Sequence, residues 1–293
     1  MSETGGSGTV GDVRRGMLML LLAVALFPVM DAIAKELATR LPVPQITWGR
    51  YAFTMAIILP AILARHRGAL WPIPSPWLQL ARGLAQLAAT FLFFLTLTYL
   101  PLADTVALAF LYPLVITLLS PLVLGERVGW RRHAAVAVGF LGALVIIRPG
   151  LGFIQPAALL GLGISVAGAV YLLITRRIAG QAPPLVSLAY ASTISLVLSS
   201  LLLPWVWQPM AWADWGAFVV IGALGAMCHG LLIHAFESAP ASVLAPLGYA
   251  EMIMAVIVGY LWFGDFPDSM TWLGIAIIAS AGLYVGWRER RAG

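Results

Sequence analysis

The chain has 293 residues, 61% of them hydrophobic and only 10% charged, with a mean hydropathy of +0.95 and a formal charge of +5. Soluble domains carry roughly 25% charged residues, so these charges are too few to cover a water-soluble fold, and the solvent for most of this chain is lipid. The basic residues sit in short clusters between apolar runs, which excludes a nucleic-acid patch, and the single cysteine, Cys228, excludes an internal disulfide and a thiolate metal site.

Residues 1–15 are rich in Gly, Ser and Thr and end on Arg14 and Arg15, which reads as a disordered cytoplasmic tail. No convincing cleavage site follows the first apolar run, so that run is expected to be the first spanning helix and not a signal peptide. A spanning helix takes about 20 apolar residues. Ten runs meet or approach that length: Met17–Leu37, Gln45–Leu63, Trp77–Leu97, Thr105–Leu124, His133–Ile147, Ala157–Ile174, Leu185–Leu203, Trp215–Phe236, Val243–Phe263 and Thr271–Trp287. The joins are brief and rich in Pro and Gly, so no soluble domain is inserted. The expected class is an all-α membrane protein, with a first five-helix repeat over 16–148, a second, inverted one over 149–288, and a short tail over 289–293.

Lys and Arg in short loops set orientation. One side collects Arg14, Arg15, Arg65, Arg67, Arg82, Arg127, Arg131, Arg132, Arg176, Arg177, Arg288, Arg290 and Arg291, and the other only Lys35, Arg40, Arg50 and Arg148. Both termini are therefore expected in the cytoplasm of a bacterial-type cell, with Asp214, Asp265 and Asp268 on the far side of the inner membrane. The tryptophans fall near segment ends, as an interfacial belt requires.

A shift of about 139 residues brings out a weak internal repeat. Pro101 falls on Pro240, Ala103 on Ser242, and Gly125-Glu126 on Gly264-Asp265; Pro44 and Pro184 each precede a helix. Five helices per half make the halves inverted, the arrangement typical of secondary carriers.

The stretch Tyr99-Leu100-Pro101-Leu102-Ala103-Asp104, then Ala107 to Pro113, then Leu124-Gly125-Glu126, with its echo in Ala239-Pro240-Ala241-Ser242 and Phe263-Gly264-Asp265, resembles the EamA-type branch of the drug/metabolite transporter superfamily. Met252 stands where that family often has proline, and Gly264-Asp265 where it often has Gly-Glu. The resemblance implies ten helices in a 5+5 arrangement around a central cavity. It leans toward exporters of aromatic and other amino acids, on a scaffold shared with sugar, nucleotide, riboflavin and drug carriers.

Charges at mid-membrane each need an explanation. Glu251 lies near the centre of its run with no basic residue in the same helix, and its repeat counterpart is Tyr112. It is either a cavity carboxylate that meets a solute amino group or a proton, or a protonated glutamate satisfied by a neighbouring helix. The expected cavity is lined by Tyr112 and Glu251, with Gln86, His229 and Tyr249 nearby; Tyr99, Tyr171 and Tyr190 are further candidates. Pro113, Pro246 and Gly248 are expected to bend their helices. Asp31, Lys35 and Arg50 form an outer charge cluster, read first as mutual pairing and otherwise as a gate or a carboxylate contact. With no second central carboxylate in view, transport is expected to be uncoupled or weakly coupled.

His229 and His234 are five apart, the wrong spacing for a helical metal pair. Small-residue stripes, Gly222/Ala226/Gly230 and Ala81/Ala85/Ala89, are packing devices. No nucleophile elbow, zinc-protease motif or phosphate loop is present, so neither an enzyme nor a cofactor is expected. The expected partners are a small solute and lipid, with no ATPase subunit, for a carrier that works as a monomer. A membrane-embedded enzyme and a channel are the competing classes.

Overall fold

The structure, a computed structural model, describes residues 10–66, 70–125, 128–148 and 156–290. Residues 1–9 of the expected tail, Arg67, Glu126, Arg127, the join at 149–155 and Arg291 lie outside the described residues.

Twelve helices are described: α1 (Val10–Leu37), α2 (Val43–Arg65), α3 (Pro76–Leu97), α4 (Leu102–Ala109), α5 (Tyr112–Leu124), α6 (Trp130–Ile147), α7 (Pro156–Arg177), α8 (Pro184–Val206), α9 (Trp212–Ser238), α10 (Ala241–Gly248), α11 (Ala250–Phe263) and α12 (Ser269–Arg290). They make ten spans, because α4 with α5 and α10 with α11 each form one interrupted crossing. Residues 10–15, expected in the tail, extend α1, and residues 289–290 likewise continue α12.

Local sequence sets the ends. Proline at the first helical turn opens α2, α3, α5 and α8, where its missing N–H is no loss. Gly125 and Gly264 close α5 and α11 in the left-handed region, at φ +71° and +74°, as helix-ending glycines do.

The packing repeats itself after inversion. α1 lies on α9 as α7 lies on α3; α2 lies on α9 as α8 lies on α3; α11 lies on α1 as α5 lies on α7. α2–α8 and α6–α12 pair each helix with its own counterpart. The close approaches match as well. A Cβ on Gly83 would meet Ile194 at 2.6 Å, and one on Gly222 would meet Phe53 at 2.3 Å and the Thr54 nitrogen at 2.9 Å. These contacts are counterparts at the offset of about 139 residues. Of the expected stripe in the eighth span, Gly222 is a tight contact, whereas a Cβ on Gly230 would meet nothing.

Between the interrupted spans the pairing is one-sided. α4 packs on α11, yet α5 and α10 make at most marginal contact. The interrupted spans of the two repeats therefore meet at the face where α4 begins and α11 ends, here the latch face. They are parted toward the face where α1 begins and α12 ends, here the terminal face.

Valine at Gly83 or Gly222 is expected to cost about 1–3 kcal/mol through overpacking, whereas Gly230→Ala leaves stability unchanged or slightly raised. Thermal unfolding of the purified variants in detergent checks this; equal melting of all three would refute the contact assignment.

Candidate functional site

The two interrupted spans break at the middle of the bundle. In the first repeat the interruption is Phe110–Leu111, and in the second it is Tyr249. Short turns bridge both: Leu111 N–H donates to Leu108 O at 3.2 Å, and Met252 N–H to Tyr249 O at 3.1 Å. Pro113 sits just after its break, and Pro246 three residues before its own. The expected bends are therefore full interruptions, with the two prolines on opposite flanks. Gly248 ends α10, and nothing lies where its Cβ would be.

The breaks touch. The Phe110 ring lies 5.7 Å from Tyr112 and 5.3 Å from Tyr249, centre to centre, so rings from both repeats form one aromatic cluster. Glu251 stands two residues beyond Tyr249, within electrostatic reach of Tyr112 and of Asp31. Asp31 is 5% exposed and in turn feels Arg50. The structure thus brings Tyr112, Tyr249 and Glu251 together.

Arg50 is fixed from the other side. Its Nη1 donates to Thr90 Oγ1 at 3.1 Å, and its guanidinium lies 5.6 Å from the Tyr51 ring and 5.7 Å from Phe94. The Tyr51 and Thr90 hydroxyls are 2.7 Å apart, and Tyr51 also donates to the Gln86 carbonyl at 3.4 Å. Gln86 is buried beside this network. His229 donates from Nδ1 to Gly225 O at 2.9 Å, packs edge-on against Phe27 at 5.6 Å and faces Arg50. His234 bonds Glu237 at 3.0 Å on an exposed helix end, so the two histidines serve different places. No group of metal-ligating side chains occurs among the described residues.

Two expectations need correction. Asp31, Lys35 and Arg50 do not pair with one another. Lys35 extends to the latch face, where it bonds Asp265 at 3.1 Å and lies 4.6 Å from the Phe263 ring centre. Asp31 stays in the centre without a direct salt bridge to Arg50. Glu251 is therefore not the lone central carboxylate: Asp31 shares its site. Of the further tyrosines, Tyr99 is exposed and Tyr190 donates to Leu70 O at 3.1 Å, both outside the aromatic cluster. Phe110 and the central placement of Asp31 escaped the sequence, although Asp31 itself and Tyr112, two residues from Phe110, were singled out.

The latch face is tied by links that all cross between repeats. Besides Lys35–Asp265, Arg40 Nε donates to Asp214 Oδ1 at 2.8 Å, Trp262 Nε1 to Glu36 at 3.0 Å, and Arg148 bonds Asp268. Asp214 also accepts from Ala211 N–H at 3.0 Å, and Asp268 from Thr271 N–H at 2.9 Å, so helix starts hold both carboxylates in place. The Arg148 bond, with Thr271, lowers the Asp268 carboxyl to about 2.

The chain matches the EamA-like transporter family twice, over residues 14–148 and again over 155–286. It belongs to that family. Among its relatives, an S-adenosylmethionine uptake transporter of Rickettsia prowazekii is 25% identical over 94% of this chain and 94% of its own length. A riboflavin transporter of Rhizobium johnstonii is 29% identical over 94% and 92%, and the pseudopaline exporter CntI of Pseudomonas aeruginosa 26% identical over 92% and 95%. A solved crystal structure superposes with a TM-score of 0.65 at 20% identity, covering 96% of this chain and 98% of the other, and bears out the fold. The protein is thus a small-molecule transporter of ten membrane spans built as two inverted repeats.

A lowered carboxyl contributes above its ordinary value of 3.8 and is lost only as pH falls through about 2. Removing the latch with Lys35→Ala and Asp268→Asn together is therefore expected to raise amide hydrogen exchange in α4 and the first turn of α12 several-fold, equally at pH 5 and pH 8 after correction for intrinsic rates. An effect confined to pH 8, or none, would contradict the latch.

Proposed function

We propose that this carrier moves zwitterionic solutes bearing a ring, aromatic amino acids and amino-acid-bearing metabolites foremost, across a bacterial inner membrane by alternating access. The observation that carries this reading is the junction of the two repeats. A three-ring cluster drawn from both halves lies beside two carboxylates, Asp31 and Glu251, and one guanidinium, Arg50. Rings of the solute stack on Phe110, Tyr112 and Tyr249. Its ammonium meets Glu251 or Asp31, neither of which has a hydrogen-bonded partner among the described residues, and its carboxylate meets Arg50. A solute that touches both halves can bias their rearrangement, as population shift requires.

The named relatives bear on this reading by chemistry. S-adenosylmethionine joins a flat heterocycle to an amino acid, which matches the rings and charges together. Riboflavin is a neutral ring system, which supports a second reading in which the ring cluster alone binds and the charges serve folding. Direction does not follow from the family, since the relatives include uptake carriers and an exporter. The outward direction expected from the sequence stays part of the proposal.

Counterflow into liposomes preloaded with unlabelled solute tests both readings. Radiolabelled tryptophan, phenylalanine, S-adenosylmethionine and riboflavin form the panel, without added nucleotide. Saturable exchange of an amino-bearing member is expected. Tyr112→Ala and Glu251→Ala should each raise its half-saturation concentration about tenfold, equivalent to about 1.4 kcal/mol of binding, with monodisperse protein. Exchange of riboflavin alone, unaffected by Glu251→Ala, would establish the second reading instead.

Orientation is proposed with the terminal face in the cytoplasm. In a Cys228→Ser background, a cysteine at Asp268 should react with an impermeant maleimide added to intact cells, and one at Ser75 should not. The opposite pattern would invert the map.

A further inference from the structure

Arg82 lies six residues inside the start of α3, about 9 Å at 1.5 Å per residue. A long basic side chain at that depth ordinarily snorkels to the headgroups. Arg82 turns inward instead: it is 2% exposed and heads the fully buried side chains by volume. Its Nη1 donates to Ser187 Oγ at 2.6 Å, its Nη2 to the Ser187 carbonyl, and its guanidinium lies 5.7 Å from the Tyr171 ring centre. Among the described residues its Nε has no hydrogen-bond partner and no carboxylate faces it.

Gln79 and Gln86 stand three residues before and four after, on the same face of α3. Both are buried. Neither polar atom of the Gln79 amide, nor Oε1 of Gln86, has a partner among the described residues. One turn beyond Gln86, Thr90 accepts from Arg50. A polar line therefore runs along α3 from near the terminal face to the cation of the central site, and α7 and α8 cover it. Hydrocarbon makes unpartnered polar atoms costly, and an unpaired cation more so. Packing alone would favour leucine at every one of these positions.

We propose that Arg82, flanked by Gln79 and Gln86, is an anion-binding station on the terminal-face half of the transport path. It takes the carboxylate or phosphate of a solute passing between the central site and that face. The proposal rests on the carrier reading in that solute travels this way, but it does not need the solute to be an amino acid. The guanidinium, already held by Ser187, keeps Nε free for an oxygen of the anion, and the two glutamine amides lie along its approach.

A cysteine in place of Ser187, in the Cys228→Ser background and in phospholipid-free detergent, reports on the station without knowledge of the solute. Its labelling is followed by mass spectrometry with sulfonatoethyl and with trimethylammonioethyl methanethiosulfonate, each rate divided by that of a free thiol. The negative reagent is expected to win by about tenfold, the lower end of what a cleft of one charge sign produces. Sodium glutamate or phosphate at millimolar concentration and constant ionic strength should slow it. Arg82→Lys should keep the preference and Arg82→Gln abolish it. Equal normalised rates, no labelling by either reagent, or a preference that survives Arg82→Gln would overturn the proposal. If Arg82→Gln does not fold, preference and protection in the parent decide. In nanodiscs, protection by phosphatidylglycerol but not by free glutamate or phosphate would assign the site to a lipid headgroup and overturn the solute role. Counterflow that fails for every amino-bearing solute while the anion preference persists would sink the solute class proposed above and leave this station standing.

Discussion

Hydrocarbon offers no hydrogen bond to an interrupted helix, so a chain can break a spanning helix only where protein covers the break. This protein does so twice, at Phe110–Leu111 and at Tyr249, and each break is covered by the other. The Phe110 ring reaches Tyr249 across the repeat boundary at 5.3 Å. The surrounding packing follows from the need to seal that junction. α1 and α7 flank the broken spans from opposite sides, and glycines at 83 and 222 let α3 and α9 come close enough to α8 and α2 to close the wall.

Inverted symmetry supplies two equivalent halves, but one conformation cannot satisfy both alike. Contact between α4 and α11, with α5 and α10 parted, is the asymmetry alternating access requires. Its mirror image would join α5 to α10 and part α4 from α11. The links Lys35–Asp265, Arg40–Asp214 and Arg148–Asp268 all lie on the joined face, so the mirrored state has to give them up. Arg148–Asp268, exposed on both sides, suits that task best, because water replaces much of what an exposed pair loses on opening.

Most of the fold was legible in the sequence because lipid imposes a length and a hydropathy on each span. The repeat was legible because the residues that open helices, Pro101 and Pro240, and those that close them, Gly125 and Gly264, carry backbone constraints that tolerate few substitutes. The interruptions were only half legible: proline and glycine marked bends, but an apolar run looks the same whole or broken. In the site, Glu251 was visible because a lone carboxylate in an apolar run needs a proton or a partner wherever it packs. Asp31 was hidden by Lys35, four residues on, which offered a ready partner that the structure sends to Asp265 instead. Arg82 was hidden in the same way, since an arginine near a helix start reads as an interfacial charge until its burial is known.

The departure at Met252 shows how sequence tunes the junction. At the matching depth in the first repeat stands Pro113, whose nitrogen carries no hydrogen, and there the interruption takes two residues, Phe110 and Leu111. Met252 keeps its N–H and donates it to Tyr249 O at 3.1 Å, which closes a turn and confines the second interruption to one residue. The tighter turn leaves Glu251, beside Met252, on the first turn of α11, where the helix N-terminus favours a carboxylate. The ionisable residue thus sits directly beyond the one-residue break. In the first repeat the turn closes one residue later, where Leu114 donates to Leu111 O at 2.9 Å. A proline at Met252 would remove the Tyr249 turn and, with it, the difference between a one-residue and a two-residue break.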